Sequence, residues 1–333
     1  MGFMADESST EKVLKILSER TEKARAVFKD TILAQETGIG KVDDEINKYL
    51  SQWKDTTRSG VLALACEAVG GNPAEVLPLQ VALLFIDATM DIHDDIIDDS
   101  VSKKNRGTVY GKLGKGNTLL IGDGFMVKGF GYLFQSLEHL AKDLRQRVLA
   151  EVTYFLYEVV AAHLSEVALK GKKWRVKPND YLQILMRKGA DIEGRMKLGA
   201  ICGRGSARDV DALTTYGRNV GVLLAAKSDF VDIFEPSELM HRIKYEVMPL
   251  QILYAIKSRK HGPKIREILQ KDILSPKDCD MLLETIYMTK EIVILNDLLR
   301  SKEKEAVQAL DTLADSRVKG ELRLLIASLT EDY

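Results

Sequence analysis

A chain of 333 residues with 45% hydrophobic content has ample material for a large core, which excludes extensive disorder. A formal net charge of −1 with 29% charged residues gives no global field toward nucleic acid or an anionic membrane, so any anion binding has to be local. Cys66, Cys202 and Cys279 have neither metal-ligand spacing nor the even number of a disulfide framework, and they read as small core residues.

Residues 1–10 read as a disordered tail without a targeting signal, and no later run reaches membrane-spanning length without a polar break. The chain is therefore expected in the cytoplasm, with peripheral membrane contact left open. Seven prolines and long Leu, Ala, Lys and Glu stretches at helical spacing point to an all-α protein with no convincing strand. The first amphipathic helix is expected over 11–34, ending at Gly38 and Gly40. Further helices are expected near 59–69, 76–99, 117–141, 143–170, 178–203, 207–233, 237–259, 278–299 and 302–328. No joint reads as a domain linker and no repeat is present, which predicts one domain over 1–333, a large helical bundle around a central apolar cavity.

Chemistry concentrates at the end of the helix at 76–99, where an apolar run from Leu77 to Ile86 leads into Asp94-Asp95-Ile96-Ile97-Asp98-Asp99. On a helix Asp94 and Asp98, four apart, and Asp95 and Asp98, three apart, share one face. Clustered carboxylates suit Mg²⁺, which commonly bridges one or two of them to a substrate's phosphate oxygens. A solvated helix end is the plain alternative, but the buried-type run feeding the cluster argues against it. A second acidic pair, Asp229 and Asp232, follows the apolar stretch at 220–226; two such patches on facing helices could hold metal between them, although Lys227 could simply pair with a carboxylate. Lys103, Lys104, Arg106 and Lys188 supply cations for phosphate oxygens. Lys227 and Lys244 are further candidates on the substrate side. His93 reads as a hydrogen-bonded helix-end residue rather than a ligand. Glu166 and His163 share a face and are as well suited to the core edge as to the cavity. The basic stretch Lys170 to Lys177 with Trp174 reads as a solvated loop.

At these residues the sequence resembles the trans-isoprenyl diphosphate synthases, the polyprenyl synthetase family, over most of its length. The family's first aspartate motif stands as Asp94-Asp95-Ile96-Ile97-Asp98. Similarity continues in Ala65 to Gly71, in Gly107 to Gly114 and in Leu120 to Asp123, and again in Tyr216 to Gly221 and Pro249 to Ala255. The resemblance implies the isoprenoid synthase fold and a prenyltransferase, usually dimeric, that uses Mg²⁺ to ionise an allylic diphosphate inside an apolar tunnel. It implies Asp94, Asp98, Asp229 and Asp232 as metal ligands and Asp95 as their support. Lys103 and Lys188 would contact the allylic diphosphate.

Departures from the family pattern gather around one substrate. The Gly-Gly-Lys-Arg-x-Arg-Pro stretch that grips isopentenyl diphosphate is replaced by the sequence at 52–60, where only Arg58 keeps its place; the histidine seven residues before the first motif is Asp87; and the arginine pair is Lys103-Lys104. Ser228 replaces the leading aspartate of the second motif, and Ala225 a glutamine before it. An unpaired carboxylate at Asp87 would repel a diphosphate. These changes lead to the expectation that the allylic site is retained while the acceptor lacks a diphosphate, with Asp55 or Asp87 as a base toward a hydroxyl. The similarity is greatest to archaeal members, some of which prenylate a hydroxylated phenazine through an ether in the methanophenazine pathway. Thr89 and Met90, without an aromatic plug, favour a long prenyl chain. Two alternatives stay open: ordinary elongation with isopentenyl diphosphate, and a non-catalytic subunit that pairs with an active synthase, so the partner could be a second copy or a related chain.

Overall fold

The Ser8 hydroxyl accepts from the Glu11 backbone N–H at 3.2 Å while the Glu11 carboxylate accepts from the Ser8 N–H at 3.0 Å, a reciprocal cap that starts the first helix, α1 (Ser9–Leu33). The computed structural model describes residues 8–103 and 106–331, so most of the expected tail lies outside the described residues and its last three positions already belong to the cap and first turn of α1. α2 (Gly40–Gln52) follows, then α3 (Thr57–Ala68), α4 (Leu77–Ile97) and a two-residue antiparallel pair, β1 (Ser102–Lys103) with β2 (Arg106–Gly107). α5 (Val109–Glu138) and α6 (Lys142–Val167) lead to α7 (Pro178–Lys188), α8 (Ala190–Cys202) and α9 (Ala207–Val231). α10 (Pro236–Tyr245), α11 (Leu250–Ala255), α12 (Gly262–Leu269), α13 (Pro276–Tyr287), α14 (Lys290–Leu310) and α15 (Arg317–Thr330) complete an all-α protein.

Several boundaries differ from expectation for local reasons. The sequence reading passed over α2, whose apolar positions Val42, Ile46 and Leu50 recur every four residues among charges, and it passed over α12. The single helix expected over 178–203 divides at Gly189, where an added Cβ would come within 2.8 Å of the Arg218 carbonyl oxygen, so the break accommodates close helix packing. Pro249 divides 237–259 because its ring cannot continue the helix before it. The break expected near 300 does not exist; α14 runs through it, and the chain turns at Met288–Thr289 and again at 311–316.

By contact the chain divides into two units. One takes residues up to Val152, Gly194–Thr214 and Leu310–Ser328; the other takes Thr153–Glu193, Thr215–Ala309 and the residues from Leu329 on. In the first unit α4 is the central element, buried almost continuously from Leu79 to Thr89. It lies along α5, and the approach is close because α5 presents glycines: a Cβ on Gly129 would sit 3.1 Å from the Phe85 Cβ, and one on Gly122 would overlap the His93 ring. Phe28, Trp53, Phe85, Phe125 and Tyr132 form an aromatic cluster beside this contact, with Phe28 and Phe85 edge to face at 4.7 Å. In the second unit Tyr181, Tyr216, Ile233 and Leu250 are fully buried. Burial pushes the thiols of Cys66 and Cys202 up to about 11 and about 12, as expected of un-ionised core residues.

Length and composition alone would let two helical stretches cross a membrane, 73–97 and 142–167, a point the sequence reading did not anticipate. The first is a buried core helix, 72% of its apolar window being covered, whereas the second is 33% covered.

Gly199 meets the Leu62 carbonyl oxygen so closely that a Cβ would collide with backbone, whereas Gly131, exposed on α5, faces open space. In urea melts Gly199→Ala is expected to destabilise by about 1–3 kcal/mol through overpacking. Gly131→Ala should stabilise by roughly 0.5–1 kcal/mol as a helix-interior replacement.

Candidate active site

α4 ends in a left-handed turn that fans out the acidic residues. Asp99 has φ +55, a conformation that aspartate tolerates better than most side chains. The Ser100 N–H returns to the Asp95 carbonyl at 2.8 Å and the Asp99 N–H to the Ile96 carbonyl at 3.3 Å, closing the helix C-terminus. The β1–β2 ribbon, anchored by Thr108 Oγ1 donating to the Ser100 carbonyl at 2.7 Å, then directs Lys103 back onto the cluster. Its Nζ lies 2.8 Å from Asp95 Oδ1 and 3.9 Å from Asp94 Oδ2. Burial pushes the Asp95 carboxyl up, opposed by Lys103. The ammonium is itself depressed by burial but raised overall by Asp95, Asp94 and Asp98. The cluster thus already attracts a cation. Asp95 is the buried member, 8% exposed, while Asp94 and Asp98 are half-buried and accessible to a ligand.

Asp91, one turn earlier and not singled out by the sequence, belongs to the same face. Its Oδ2 accepts from Trp53 Nε1 at 2.8 Å, and Arg58 lies 3.5 Å from its Oδ1. His93 approaches the Leu119 carbonyl at 3.3 Å and Asp123 at 3.7 Å, a supporting contact with α5. Lys104 lies outside the described residues.

Asp87 and Asp55 both differ from the roles expected of them at the acceptor site. Asp87 is not an unpaired carboxylate: its Oδ1 accepts from Arg195 Nη2 at 2.6 Å, and the side chains are 3% and 1% exposed. Arg195 on α8 cancels the charge that would have repelled a diphosphate, and so deep an ion pair is not a general base. Asp55, two residues before the start of α3, instead accepts from the Thr57 N–H at 3.0 Å and bridges to Arg58 at 2.7 Å.

A cleft of about 350 Å³ opens beside the acids in this unit, bordered by Tyr49, Trp53, Asp95, Thr108 and the cations Lys48, Lys103 and Arg106. Thr89, five positions before Asp94, is satisfied by the Phe85 and Gly122 carbonyls, each at 2.9 Å. Although positions 89 and 90 hold no aromatic, Phe85 and Phe125 stand one turn farther along α4 and α5, with ring centroids 6.3 Å apart.

The second acidic pair is occupied differently from the expectation that it ligates metal. Asp229, 4% exposed, accepts from Arg242 Nη1 at 2.7 Å on Oδ1 and from the Leu250 N–H at 3.0 Å on Oδ2. The same Nη1 reaches Asp232 Oδ2 at 2.9 Å. Arg242 also donates from Nη2 to the Tyr181 hydroxyl at 2.9 Å and from Nε to the Val247 carbonyl at 3.1 Å. Burial pushes the Asp232 carboxyl up against the pull of Arg242. Tyr181 is in turn 3.2 Å from Glu166 Oε1, and the other Glu166 oxygen holds Lys188 Nζ at 2.5 Å. Burial alone would raise Glu166, but Lys188 outweighs it and holds the carboxyl below its usual range. Lys188 is therefore a paired cation, and Glu166 belongs to the charged network rather than to a bland core edge. Lys227 is half-buried on α9, and the exposed Lys244 lies 4.8 Å from the centre of the Tyr245 ring.

Among the described residues no three acidic, histidine or cysteine side chains form a ready-made metal cage. Mg²⁺ does not need one, since it commonly retains waters and takes one or two carboxylates with substrate phosphates. The accessible Asp94 and Asp98 fit that mode; Asp229 and Asp232 do not, because a guanidinium already occupies their shared face.

Residues 42–286 match the family model described as polyprenyl synthetase. The chain belongs to the polyprenyl synthetase family. As a polyprenyl synthetase family member it is a prenyltransferase of isoprenoid biosynthesis. It is 26% identical over 261 residues to a geranylgeranyl diphosphate synthase of Methanosarcina mazei, covering 78% of this chain and 79% of that one. Its fold is that of the geranylgeranyl pyrophosphate synthetase from Pyrococcus horikoshii, with a TM-score of 0.83 and 22% identity over 97% of this chain and 99% of that chain. A geranylgeranyl pyrophosphate synthase from Corynebacterium glutamicum, complexed with isoprenyl diphosphate and magnesium, gives a TM-score of 0.75 and 20% identity over 97% and 99% of the two chains.

Breaking the Asp87–Arg195 pair tests its role as charge compensation. Asp87→Ala alone is expected to cost about 3–5 kcal/mol in chemical denaturation. Adding Arg195→Ala should recover part of that loss; strictly additive losses would refute the coupling.

Proposed function

We propose that this polyprenyl synthetase elongates an allylic prenyl diphosphate with isopentenyl diphosphate, in place of the hydroxylated aromatic acceptor inferred from sequence. The observation that carries this reading is the neutralisation of Asp87 by Arg195, which removes the reason for excluding a second diphosphate. Neither Asp55 nor Asp87 is left as a base toward a hydroxyl, and relatives of this chain bear the names of diphosphate synthases.

Asp94 and Asp98 would hold Mg²⁺, and when bound the ion supplies charge neutralisation for the departing diphosphate. Lys103, fixed by Asp95, adds a donor beside them, and we carry Lys188 forward as a second diphosphate-contacting cation. The allylic carbon–oxygen bond breaks with its electron pair leaving on diphosphate. The isopentenyl double bond then attacks the allylic carbon, and loss of a proton restores a double bond in the lengthened product. We assign the isopentenyl diphosphate to the cleft bordered by Lys48, Lys103 and Arg106, whose three cations outnumber its acids Glu45 and Asp95 although the family's basic stretch at 52–60 is missing. The apolar wall supplied by Tyr49 and Trp53 suits the hydrocarbon end.

The family reading supports a cytoplasmic enzyme with at most peripheral membrane contact, and pairing of two copies is supported by Leu120, Val127 and Phe134. These are 71%, 71% and 61% exposed at seven-residue intervals on α5.

The test is incubation of purified protein and Mg²⁺ with fifteen- and twenty-carbon allylic diphosphates and labelled isopentenyl diphosphate. Longer prenyl diphosphates are expected. Diphosphate release that requires a hydroxylated aromatic would sink the reading, and turnover only with an added synthase would make this chain a subunit. Asp94→Ala with Asp98→Ala should reduce turnover by about 10²–10³-fold, the scale of losing a preorganised charge-stabilising group. Lys48→Ala and Arg106→Ala should each raise KM for isopentenyl diphosphate roughly 10-fold, corresponding to a charge-assisted hydrogen bond, with the allylic KM nearly unchanged.

A further inference from the structure

Three residues separate Asp232 from the start of α10 at Pro236, and after this short connection Arg242 lies over the second acidic pair. The guanidinium meets both carboxylates through one nitrogen, at 2.7 and 2.9 Å, and uses its other nitrogens on Tyr181 and the Val247 carbonyl. A divalent ion binds carboxylate lone pairs, yet those of Asp229 are engaged by Arg242 on one oxygen and by the Leu250 N–H on the other. Arg242 is 7% exposed, and arginine does not give up its proton in a protein, so it cannot make room by becoming neutral. Displacing it would leave a buried charge stripped of its counter-ions. Ser228 fits the same picture: with its family aspartate missing, two acids rather than three require compensation.

We propose that Arg242 is a built-in cation replacing metal at Asp229 and Asp232, so that this chain loads metal through its first acidic cluster alone. The metal count at that first cluster rests on the function proposed above; the arginine substitution does not. A lysine would supply charge but not the planar fork that serves two carboxylates and a phenol together.

The experiment titrates Mn²⁺ into the full chain with inorganic pyrophosphate, read by electron paramagnetic resonance, together with melting curves in Mn²⁺ and in chelator. Asp232→Asn is expected to leave the number of Mn²⁺ bound per chain unchanged and its affinity within about 2-fold, well short of the ~10–100-fold loss seen when a ligand's support is removed. Loss of one Mn²⁺ per chain, or a loss of that size in affinity, in Asp232→Asn would overturn the proposal. Arg242→Gln exposes the two acids and should show a larger Mn²⁺-dependent rise in Tm than the wild type, which gains only from its first cluster; a folded Arg242→Gln protein whose Tm rises with Mn²⁺ no more than the wild type's also counts against it. Should Arg242→Gln fail to fold, Asp232→Asn decides alone. Asp94→Asn reports separately on the first cluster: if the wild type binds no Mn²⁺ with pyrophosphate, the proposed function fails, while the gain of Mn²⁺ response in Arg242→Gln still decides the arginine's role.

Discussion

A carboxylate carried into the interior by an apolar helix has to meet a positive charge there, and the placement of this chain's decisive cations follows from that requirement. α4 carries Asp87 deep into the first unit and Asp95 to its margin. Arg195 answers the first at 2.6 Å and Lys103 the second at 2.8 Å. In the second unit Asp229 rides on α9 to nearly complete burial and Arg242 answers it. Isolated ionised groups would be too costly at these depths, so each acid is found with a cationic partner at hydrogen-bonding distance. Asp94 and Asp98, half-buried rather than buried, are the acids of this cluster that an external cation can reach.

The same requirement separates what the sequence made legible from what it hid. The apolar run into Asp94 to Asp99 is a local pattern, so the helix, the cluster and the family follow from reading the chain in order. Lys103 was within reach too, eight residues beyond Asp95. Asp91 could have been found by the same helical spacing that joined Asp94 to Asp98. Arg195 could not, because it stands 108 positions from Asp87 and only the folding of the first unit, to which both belong, brings them together. Arg242 was hidden for another reason: reading it requires knowing that the chain reverses after Phe234, whereas helical periodicity across 237–259 suggested continuity. Helix breaks at Gly189 and Pro249 were visible as residues but not as decisions, since glycine and proline both also occur where the chain continues.

The correction at Asp87 bears on how a degenerate motif should be interpreted. Taken singly, an acid where relatives have a histidine suggests loss of anion binding. Taken with Arg195 it is one half of a buried ion pair, with no net charge added to the interior. Arg58 undergoes a comparable reassignment, since its guanidinium serves Asp55 and Asp91 rather than standing ready for phosphate. Under the proposed function, positive charge for a second substrate comes from the neighbouring cleft, where Lys48 on α2 and Arg106 on β2 belong to elements that the sequence pattern did not mark.

The two acidic sites therefore differ in kind although their sequences look like strong and weak copies of one motif. The first is closed by a lysine, a point charge on a two-residue ribbon, 45% exposed and held by Asp95 at 2.8 Å beside the face that the proposed function gives to a diphosphate. The second is closed by an arginine, 8% exposed at its side chain and tied at every nitrogen to a helix, a tyrosine or a backbone carbonyl. An exchangeable counter-ion belongs where ligands arrive and depart; a fixed one belongs where the charge has to be held while they do.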